Sequence, residues 1–577
     1  MARAGHERFT RPTVATHRRY EALRAYYVEE LTAAEIAARF GYTKASVQTL
    51  ISQHRQADPG ELFQVARPGP KRQPKKDAAR ERAIELRRAR HGIEEIVAEL
   101  ARAGTPLSRT AVWEILRQEG LSRMPTPRPA KPEPAPQQLT AEKVRVLGDD
   151  DWPTEGSIQT QHAGLFLLVG ELVALDLPGL VKDAGWPSTS QLGAIRSVLS
   201  LLALKPSGRR RRSHVRSVVH DPALGYFAGL NVLPKTWHLT TYSYRTNRSE
   251  QVAFCEALQP RLTEAGLIGE AGLNLDFHAI MSYGDDTTVL EKHYVPRRSQ
   301  RTRSVLTFIA QDGQEHTILY ANAELTSRQQ SGEVIAFCRF YEKTHGELPK
   351  LLVFDQKLTT QPHLAQLDEL GVGFITLRQR HPKLTEALAA LPASAWTKTR
   401  LDRSGKHKTA SYHEDAVTIK DRVFRQLAVQ GLGREHPTLI LTNQQTLTPK
   451  QLIERYGQRW GIENQLAEQI RAFHLDSLCS QVPLAVDFDV TLTILADIVY
   501  RRFARGLHTA YHNQTPDTIR DYLIDGIGEL RFTPGHIQVA LRRRTHTPAL
   551  LEAGYENRTI KVPWWNGRTL NYSFPAR

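Results

Sequence analysis

Cysteine is scarce in this sequence. The chain of 577 residues contains three cysteines, Cys255, Cys338 and Cys479, which lie far apart. Three separated thiols exclude a disulfide framework and a cysteine zinc cluster, and they are typical of a reducing compartment. Any bound metal ion would therefore be held by oxygen or imidazole ligands.

Long apolar runs are also missing. The two most apolar stretches begin at Leu165 and Val490, and Glu171, Asp176 and Asp497 interrupt them, so neither resembles a membrane span. The first residues, MARAGHERFTR, lack the apolar segment of a signal peptide. We therefore expect a cytoplasmic protein that does not contact a membrane.

Acidic residues are too few to balance the basic ones. The chain has 61 Asp and Glu against 77 Lys and Arg, which gives a formal net charge of +16 and a pI near 9.7. Such an excess attracts phosphate polymers, so nucleic acid is the expected partner. A hydrophobic content of 40% with 24% charged residues is typical of globular proteins, and the length allows several domains.

Residues 20–55 have the pattern of a helix-turn-helix. Gly41 is placed at the turn and Thr43 at the start of the second helix, which exposes Lys44 and Gln48 to contact DNA in the major groove. A plain helical hairpin is the alternative. The predicted core consists of the periodically spaced apolar residues Ala34, Ile36, Ala37, Phe40, Val47, Leu50 and Ile51.

A second unit of this kind spans residues 79–122. Ser108 is expected to cap a helix that presents Arg109, Thr110 and Trp113 while its apolar residues turn inward. Two tandem modules read a longer DNA site than one module does.

Basic segments without apolar residues lie between and after these units. The stretch Arg67–Lys76, with Arg67, Lys71 and Arg72, suits an extended arm in the minor groove or equally a solvated linker. The run Arg209–Arg212 is either a solvated loop or a contact to the DNA backbone through Arg210 and Arg211. Residues 124–136 are rich in proline and predict a semi-rigid spacer.

From Leu273 onward the pattern changes to strands. GLNLDFHAIM places Asp276 within a strand, and Gln311–Gln314 is predicted to form a hairpin with a two-residue Asp-Gly turn. After a helix over Gln329–Thr344, a short buried strand ends at Asp355. A further helix and the strand VGFITLR follow. This order predicts a mixed α/β sheet with Asp276 and Asp355 on two central strands.

The stretch Tyr456–Arg471, YGQRWGIENQLAEQIR, is predicted to form one amphipathic helix. Residues at i, i+3 and i+7 share a side, so Tyr456, Arg459 and Glu463 would point the same way. A surface helix with an ordinary salt bridge is the alternative. Two aspartates on strands and a glutamate on a later helix are, however, the ligand set of a two-metal phosphoryl-transfer site.

At this point the sequence resembles the DDE transposases of bacterial insertion sequences, through LNLDFHAI, LLVFDQKLTTQPHLAQLDELGVGFITL and the predicted helix. The resemblance implies a ribonuclease-H-like catalytic domain. It also implies that Asp276, Asp355 and Glu463 are catalytic ligands of two Mg²⁺ ions, for which Mn²⁺ could substitute.

One group of these enzymes has the pattern Y-x-x-R-x-x-x-E-x-x-x-x-x-x-K on this helix. Tyr456, Arg459 and Glu463 fit it, but Ile470 stands at the lysine position, and the adjacent Arg471 is the expected substitute. The resemblance implies that these basic and phenolic groups bind DNA phosphates. It also implies a β-rich insertion in which Trp396 could stack on a flipped base, although a core position is the alternative for this tryptophan.

The implied function is cut-and-paste transposition: binding of terminal inverted repeats, metal-dependent cleavage and strand transfer. Double-stranded DNA, both transposon ends and target, is the implied partner of a homodimer in a synaptic complex, acting at the bacterial nucleoid. The alternatives are a transposase-derived DNA-binding regulator and a ribonuclease-H-like nuclease without strand transfer.

The expected architecture is multidomain, with all-α helix-turn-helix modules followed by an α/β ribonuclease-H-like catalytic domain. The expected segments are a first helix-turn-helix domain (1–60), a basic linker (61–78), a second helix-turn-helix domain (79–124), a proline-rich linker (125–150), a helical DNA-binding or dimerisation region (151–265), the first part of the catalytic domain (266–378), the β-rich insertion (379–448), the second part of the catalytic domain (449–510) and a C-terminal region (511–577).

Overall fold

The chain forms two compact units, Met1–Gln138 and Leu139–Arg577. The computed structural model describes residues 12, 14–56, 74–89, 91–119, 121, 142–208, 212–218, 220–282, 290–295, 300–403, 407–477, 479–480 and 482–575. The predicted arm residues Arg67, Lys71 and Arg72, the arginines Arg210 and Arg211, and the proline-rich spacer lie outside the described residues.

The described residues of the first unit form two three-helix groups. Their helices are α1 (Ala15–Tyr27), α2 (Ala33–Phe40) and α3 (Lys44–Gln56), then α4 (Pro74–Arg88), α5 (Ile93–Arg102) and α6 (Arg109–Gln118). The predicted caps are confirmed: Gly41 ends α2 with φ +70°, and the hydroxyls of Thr43 and Ser108 accept backbone N–H groups at 3.1 and 3.2 Å.

Each group has its own small apolar core. Ile36, Phe40, Val47 and Ile51 are buried in the first, as predicted. Ala34 is exposed instead, because it lies about 200° around α2 from Ile36. In the second group the apolar core consists of Ala79, Ala83, Leu86, Ile96, Leu100, Val112, Ile115 and Leu116.

The second unit begins with short helices packed into its large core. They are α7 (Val169–Ala174), α8 (Leu177–Asp183), α9 (Ala194–Leu204), α10 (Pro222–Phe227), α11 (Thr236–Thr241) and α12 (Arg248–Glu264). Strand β1 (Ser157–Thr160), which the sequence pattern did not predict, precedes them. Among the described residues no single helix could cross a membrane; the bent pair Ala163–Ala174 and Leu177–Asp183 passes only as a pair, by length and composition.

A ten-stranded sheet forms the centre of this unit. Its strands are β2 (Leu273–Met281), β3 (Lys292–Val295), β4 (Gln300–Asp312), β5 (Ile318–Asn322), β6 (Leu351–Phe354), β7 (Gly373–Leu377), β8 (Thr397–Arg400), β9 (Thr409–Ile419), β10 (Arg422–Gln430) and β11 (Thr438–Thr442). The order is β3-β4-β2-β6-β7-β11-β10-β9-β8, with β5 beside β4. The pairs β2–β6 and β6–β7 are parallel.

Helices α13 (Glu333–His345), α14 (Gln361–Glu369) and α15 (Pro382–Ala389) connect strands of this sheet. The hairpin β4–β5 exists, but the predicted two-residue turn is wrong: residues 313–317 connect the strands, and the register shifts at Ala310/Gln311. The carboxylate of Asp312 accepts N–H groups from Gln314 and Glu315, so the aspartate fixes a wider loop. Strand β11 pairs with β7, so β8–β11 continue the central sheet.

The remaining helices are α16 (Pro449–Gln458), α17 (Trp460–Phe473), α18 (Pro483–Arg505), α19 (Pro516–Ile519) and α20 (Thr547–Glu552). Strands β12 (Gly528–Thr533), β13 (His536–Leu541), β14 (Thr559–Lys561) and β15 (Thr569–Ser573) join β1 in a second sheet. Strands β14 and β15 form a hairpin around Asn566-Gly567, with both residues at positive φ. The chain therefore has a helical N-terminal region followed by a mixed α/β domain.

Candidate active site

Two aspartates lie side by side at the edge where parallel strands β2 and β6 pair. Leu275 is in register with Phe354, so the next residues, Asp276 and Asp355, are neighbours. Each carboxylate accepts the N–H of its following residue at 2.8 Å, which orients both side chains locally. The prediction that both aspartates lie on central strands is confirmed for Asp276, whereas Asp355 is the first residue after β6.

The helix expected over Tyr456–Arg471 is two helices, and the prediction of a single one is wrong. Helix α16 ends at Gln458, and α17 begins at Trp460. At the junction Arg459 donates its N–H to the carbonyl of Tyr456, three residues back, which is the tighter 3₁₀ pattern. Glycines 457 and 461 flank the junction, and glycine is a poor helix former.

Arg459 connects the junction to the aspartates. Arg459 is 6% exposed, and its guanidinium donates to Asp276 Oδ2 at 3.0 Å and to Glu463 Oε1 at 3.2 Å. The guanidinium carbon lies 5.6 Å from the centroid of the buried Tyr456 ring. The structure thus brings Asp276, Arg459 and Glu463 into direct contact, with Tyr456 and Asp355 next to them.

Asp276, Asp355 and Glu463 around Arg459 form a carboxylate cluster, which holds more negative than positive charge. Burial raises the pKa of Asp276 to about 6; Arg459 opposes this rise, whereas Glu463 and Asp355 add to it. Burial works to lower the pKa of Arg459, but the nearby acidic groups, Asp276 first, outweigh it and raise that pKa. Burial likewise raises the pKa of the Tyr456 phenol. Three carboxylates facing one guanidinium are an arrangement that attracts further cations.

The donor chemistry fits a hard divalent cation, because carboxylate oxygens are the ligands that Mg²⁺ and Mn²⁺ take in proteins. Within the described ranges, however, no group of three or more His, Cys, Asp or Glu side chains already stands in a metal-binding arrangement. Arg459 is the cation that bridges Asp276 and Glu463 here. Direct coordination by those two carboxylates would compete with their contacts to Arg459.

Two other acidic residues that could be considered as metal ligands, Asp368 and Glu454, make structural contacts instead. Asp368 pairs with Arg422 at 2.6 Å and accepts from the Asn443 amide, and Glu454 accepts the N–H of Asp402. Neither contacts the carboxylate cluster. The acids Asp285 and Asp286, near the β2–β3 connection, lie outside the described residues.

Ile470, at the lysine position of the helix pattern, and Arg471, its expected substitute, lie in different environments. Ile470 packs against the apolar core. Arg471 is exposed, and its charge acts on Glu468, which lies on another side of α17 from Glu463. No contact between Arg471 and the carboxylate cluster occurs among the described residues.

The other expected DNA-contacting residues are distributed as follows. Lys44 and Gln48 are exposed on α3, and Arg109 is exposed on α6, where it pairs with Glu94 at 3.2 Å. Trp396 is partly buried against Leu388, Ala428 and Leu439, which supports the core alternative over base stacking.

Sequence reasoning missed a buried polar chain behind the cluster. The Asn274 amide donates to Gln311 at 3.2 Å, Gln311 contacts Gln465 of α17, and Gln465 donates to Asp497 at 2.9 Å. Arg501 completes it through Asp497 at 2.8 Å. Asn274 is two residues before Asp276, so this chain fixes α17 against the strand that carries the aspartate. Polar residues recurring on the inward face of α17 were the available signal.

Comparison with known families gives one match: residues 292–496 match the family described as "Transposase DDE domain". The matched range contains Asp355, Arg459 and Glu463 and begins after Asp276. It confirms the resemblance to DDE transposases of the insertion-sequence type. No curated protein matches the chain.

Proposed function

We propose that this chain, a transposase by its DDE domain, cleaves DNA at the ends of its own element and joins them to target DNA. The observation that carries this proposal is the convergence of Asp276, Asp355 and Glu463 around Arg459 at the carboxyl edge of paired parallel strands. The fold family we propose for this sheet is ribonuclease-H-like.

Asp276, Asp355 and Glu463 are the residues that would hold divalent ions, Mg²⁺ with Mn²⁺ as a substitute. Such ions neutralise charge on the attacking and leaving oxygens of a phosphodiester. Arg459 has a second role, because a guanidinium released from Asp276 and Glu463 can donate two parallel hydrogen bonds to a phosphate. Tyr456 supports that guanidinium from its buried face.

The helices of the first unit are proposed to bind the terminal inverted repeats as helix-turn-helix modules. Lys44 and Gln48 are exposed on one face of α3, and both side-chain types contact phosphates and base edges. Because two ends must be paired before joining, a homodimer in a synaptic complex is proposed. We place this activity in the cytoplasm, at the nucleoid.

The test is strand transfer of a precleaved transposon end into a target plasmid in Mg²⁺, with the end sequence taken from the DNA that flanks the gene. Wild type and Asp402→Ala, a change at an exposed aspartate outside the cluster, are expected to form joined products, and Asp355→Ala to form none. Cleavage without joining would instead identify a nuclease. Sequence-specific binding with neither reaction would identify a regulator.

A further inference from the structure

Trp237 is the most exposed large apolar side chain among the described residues, at 70%. It lies on α11, a helix of the second unit that contributes nothing to the carboxylate cluster. A tryptophan in water loses the free energy that its burial would supply, so one held this far out indicates a partner.

The fold holds Trp237 in this position. Leu239 and Tyr242, on the opposite side of the same segment, are buried, and the Tyr242 hydroxyl donates to the Pro187 carbonyl at 2.9 Å. The His238 ring is bonded to Ser197 of α9 at 3.0 Å. Turning the helix to bury Trp237 would break these contacts, so the indole is presented on a fixed support.

The surroundings of Trp237 are basic. Lys235 is exposed before it and Arg245 after it along the chain, and Arg216 is exposed in the 3₁₀ helix Arg212–Ser217 that packs against α11. None of these three makes an ion pair within the described ranges. The carboxylate of Glu250 accepts the N–H of Asn247 at the start of α12. A second aromatic ring, Tyr244, is 51% exposed beside Arg245.

We infer that Trp237 is a base-stacking residue, and that Lys235, Arg245 and Arg216 bind the phosphates on either side of an unpaired base in DNA. The inference rests on the proposed action on DNA. Aromatic faces stack on any base, but the faces of bases in an intact duplex are already covered by their neighbours. The surface therefore favours DNA with unpaired nucleotides, such as a frayed or cut end. A protein partner fits less well, because lysine is depleted from protein–protein interfaces.

The experiment compares two probes of one sequence, a blunt duplex and the same duplex with unpaired nucleotides at one end. Binding is measured by fluorescence anisotropy of the full chain without divalent ions, so that no cleavage occurs. Trp237→Ala is expected to weaken binding of the unpaired-end probe by about tenfold and of the blunt probe much less. Trp237→Phe should keep most of the preference. The matched control, Tyr522→Ala, removes another exposed aromatic ring and should change neither affinity.

Equal affinity of wild type and Trp237→Ala for the unpaired-end probe would overturn the inference. So would an equal loss on both probes, or a loss of self-association in sedimentation with DNA binding unchanged, since the latter assigns Trp237 to a contact between copies. The outcome is separate from the catalytic proposal: Asp355→Ala should retain the preference for unpaired ends even though it forms no joined product.

Discussion

Helix α17 lies between two polar clusters that share the same chemistry and differ in access to solvent. On one side Arg459 contacts Asp276 at 3.0 Å, with the half-exposed Glu463 beside it; on the other, Arg501 contacts Asp497 at 2.8 Å. Asp497 is 1% exposed and is bonded to both Arg501 and Gln465. The carboxylate cluster keeps surplus negative charge at a solvent-accessible edge of the sheet, where Glu463 is 55% exposed. Charge that is incompletely neutralised and accessible, rather than the ion pair itself, distinguishes the candidate active site.

The largest expected effect is on catalysis and comes from a change in the carboxylate cluster. Glu463→Gln keeps the shape of the side chain but removes one negative charge, so DNA cleavage should fall by at least about a thousandfold. Because Glu463 is 55% exposed, the free energy of unfolding should stay within about 0.5 kcal/mol of wild type. Cleavage assays and urea denaturation check the two parts. Activity within tenfold of wild type would remove Glu463 from the site.

The buried cluster should show the opposite behaviour. Asp497→Ala leaves Arg501 without its carboxylate and Gln465 without its acceptor, so the free energy of unfolding should fall by about 3 kcal/mol. Urea denaturation measures this loss. Asp402→Ala, at a carboxylate that is 78% exposed, is the control and should change stability little. A loss below about 1 kcal/mol for Asp497→Ala would mean that the two clusters do not differ in the way described.

A pH effect of intermediate size should come from Asp276. Its folded pKa of about 6 lies above the ordinary aspartate value of 3.8, so the folded chain binds more protons than the unfolded chain between these values. Stability from this group is therefore present below about pH 4 and is lost as pH rises through about 6. Without divalent ions, Asp276→Asn should gain stability relative to wild type between those limits. A difference that does not change with pH would contradict the raised pKa.

The smallest effect is expected at Arg471. This side chain is exposed and does not contact the carboxylate cluster, so Arg471→Ala should lower the rate of strand transfer less than about threefold at physiological salt. Titration of the salt concentration in the same assay checks whether the residual effect is electrostatic. A loss above tenfold would restore Arg471 as the substitute for the absent lysine.

The parts of the fold that follow local patterns could be predicted from the sequence. Thr43 and Ser108 cap their helices as expected, and Asp276 and Asp355 meet because each follows a residue of the in-register pair Leu275–Phe354 on parallel strands β2 and β6. The break at Arg459 could not be predicted from apolar spacing, which continues through it.

Long-range contacts account for what the sequence did not predict. Gln311 is placed in a turn by its local context, yet it is fully buried because it reaches Gln465, which lies far along the chain. Strand β1 is short, and its pairing partner β12 comes near the end of the chain. Ile470 packs into a core assembled from several segments, so its environment could not be read from the helix alone.

The most direct test of the central claim is to locate the cation site in the protein itself. Fe²⁺ substituted for Mg²⁺ reduces added hydrogen peroxide to hydroxide and hydroxyl radicals, which cut the polypeptide near the bound ion, and the fragments can be sized by mass spectrometry. The account predicts cuts around residues 276, 355 and 463 in the wild-type chain, and their joint loss in Asp355→Asn but not in Asp402→Asn. Cuts that cluster elsewhere, or that persist unchanged in Asp355→Asn, would contradict a shared cation site at these three carboxylates.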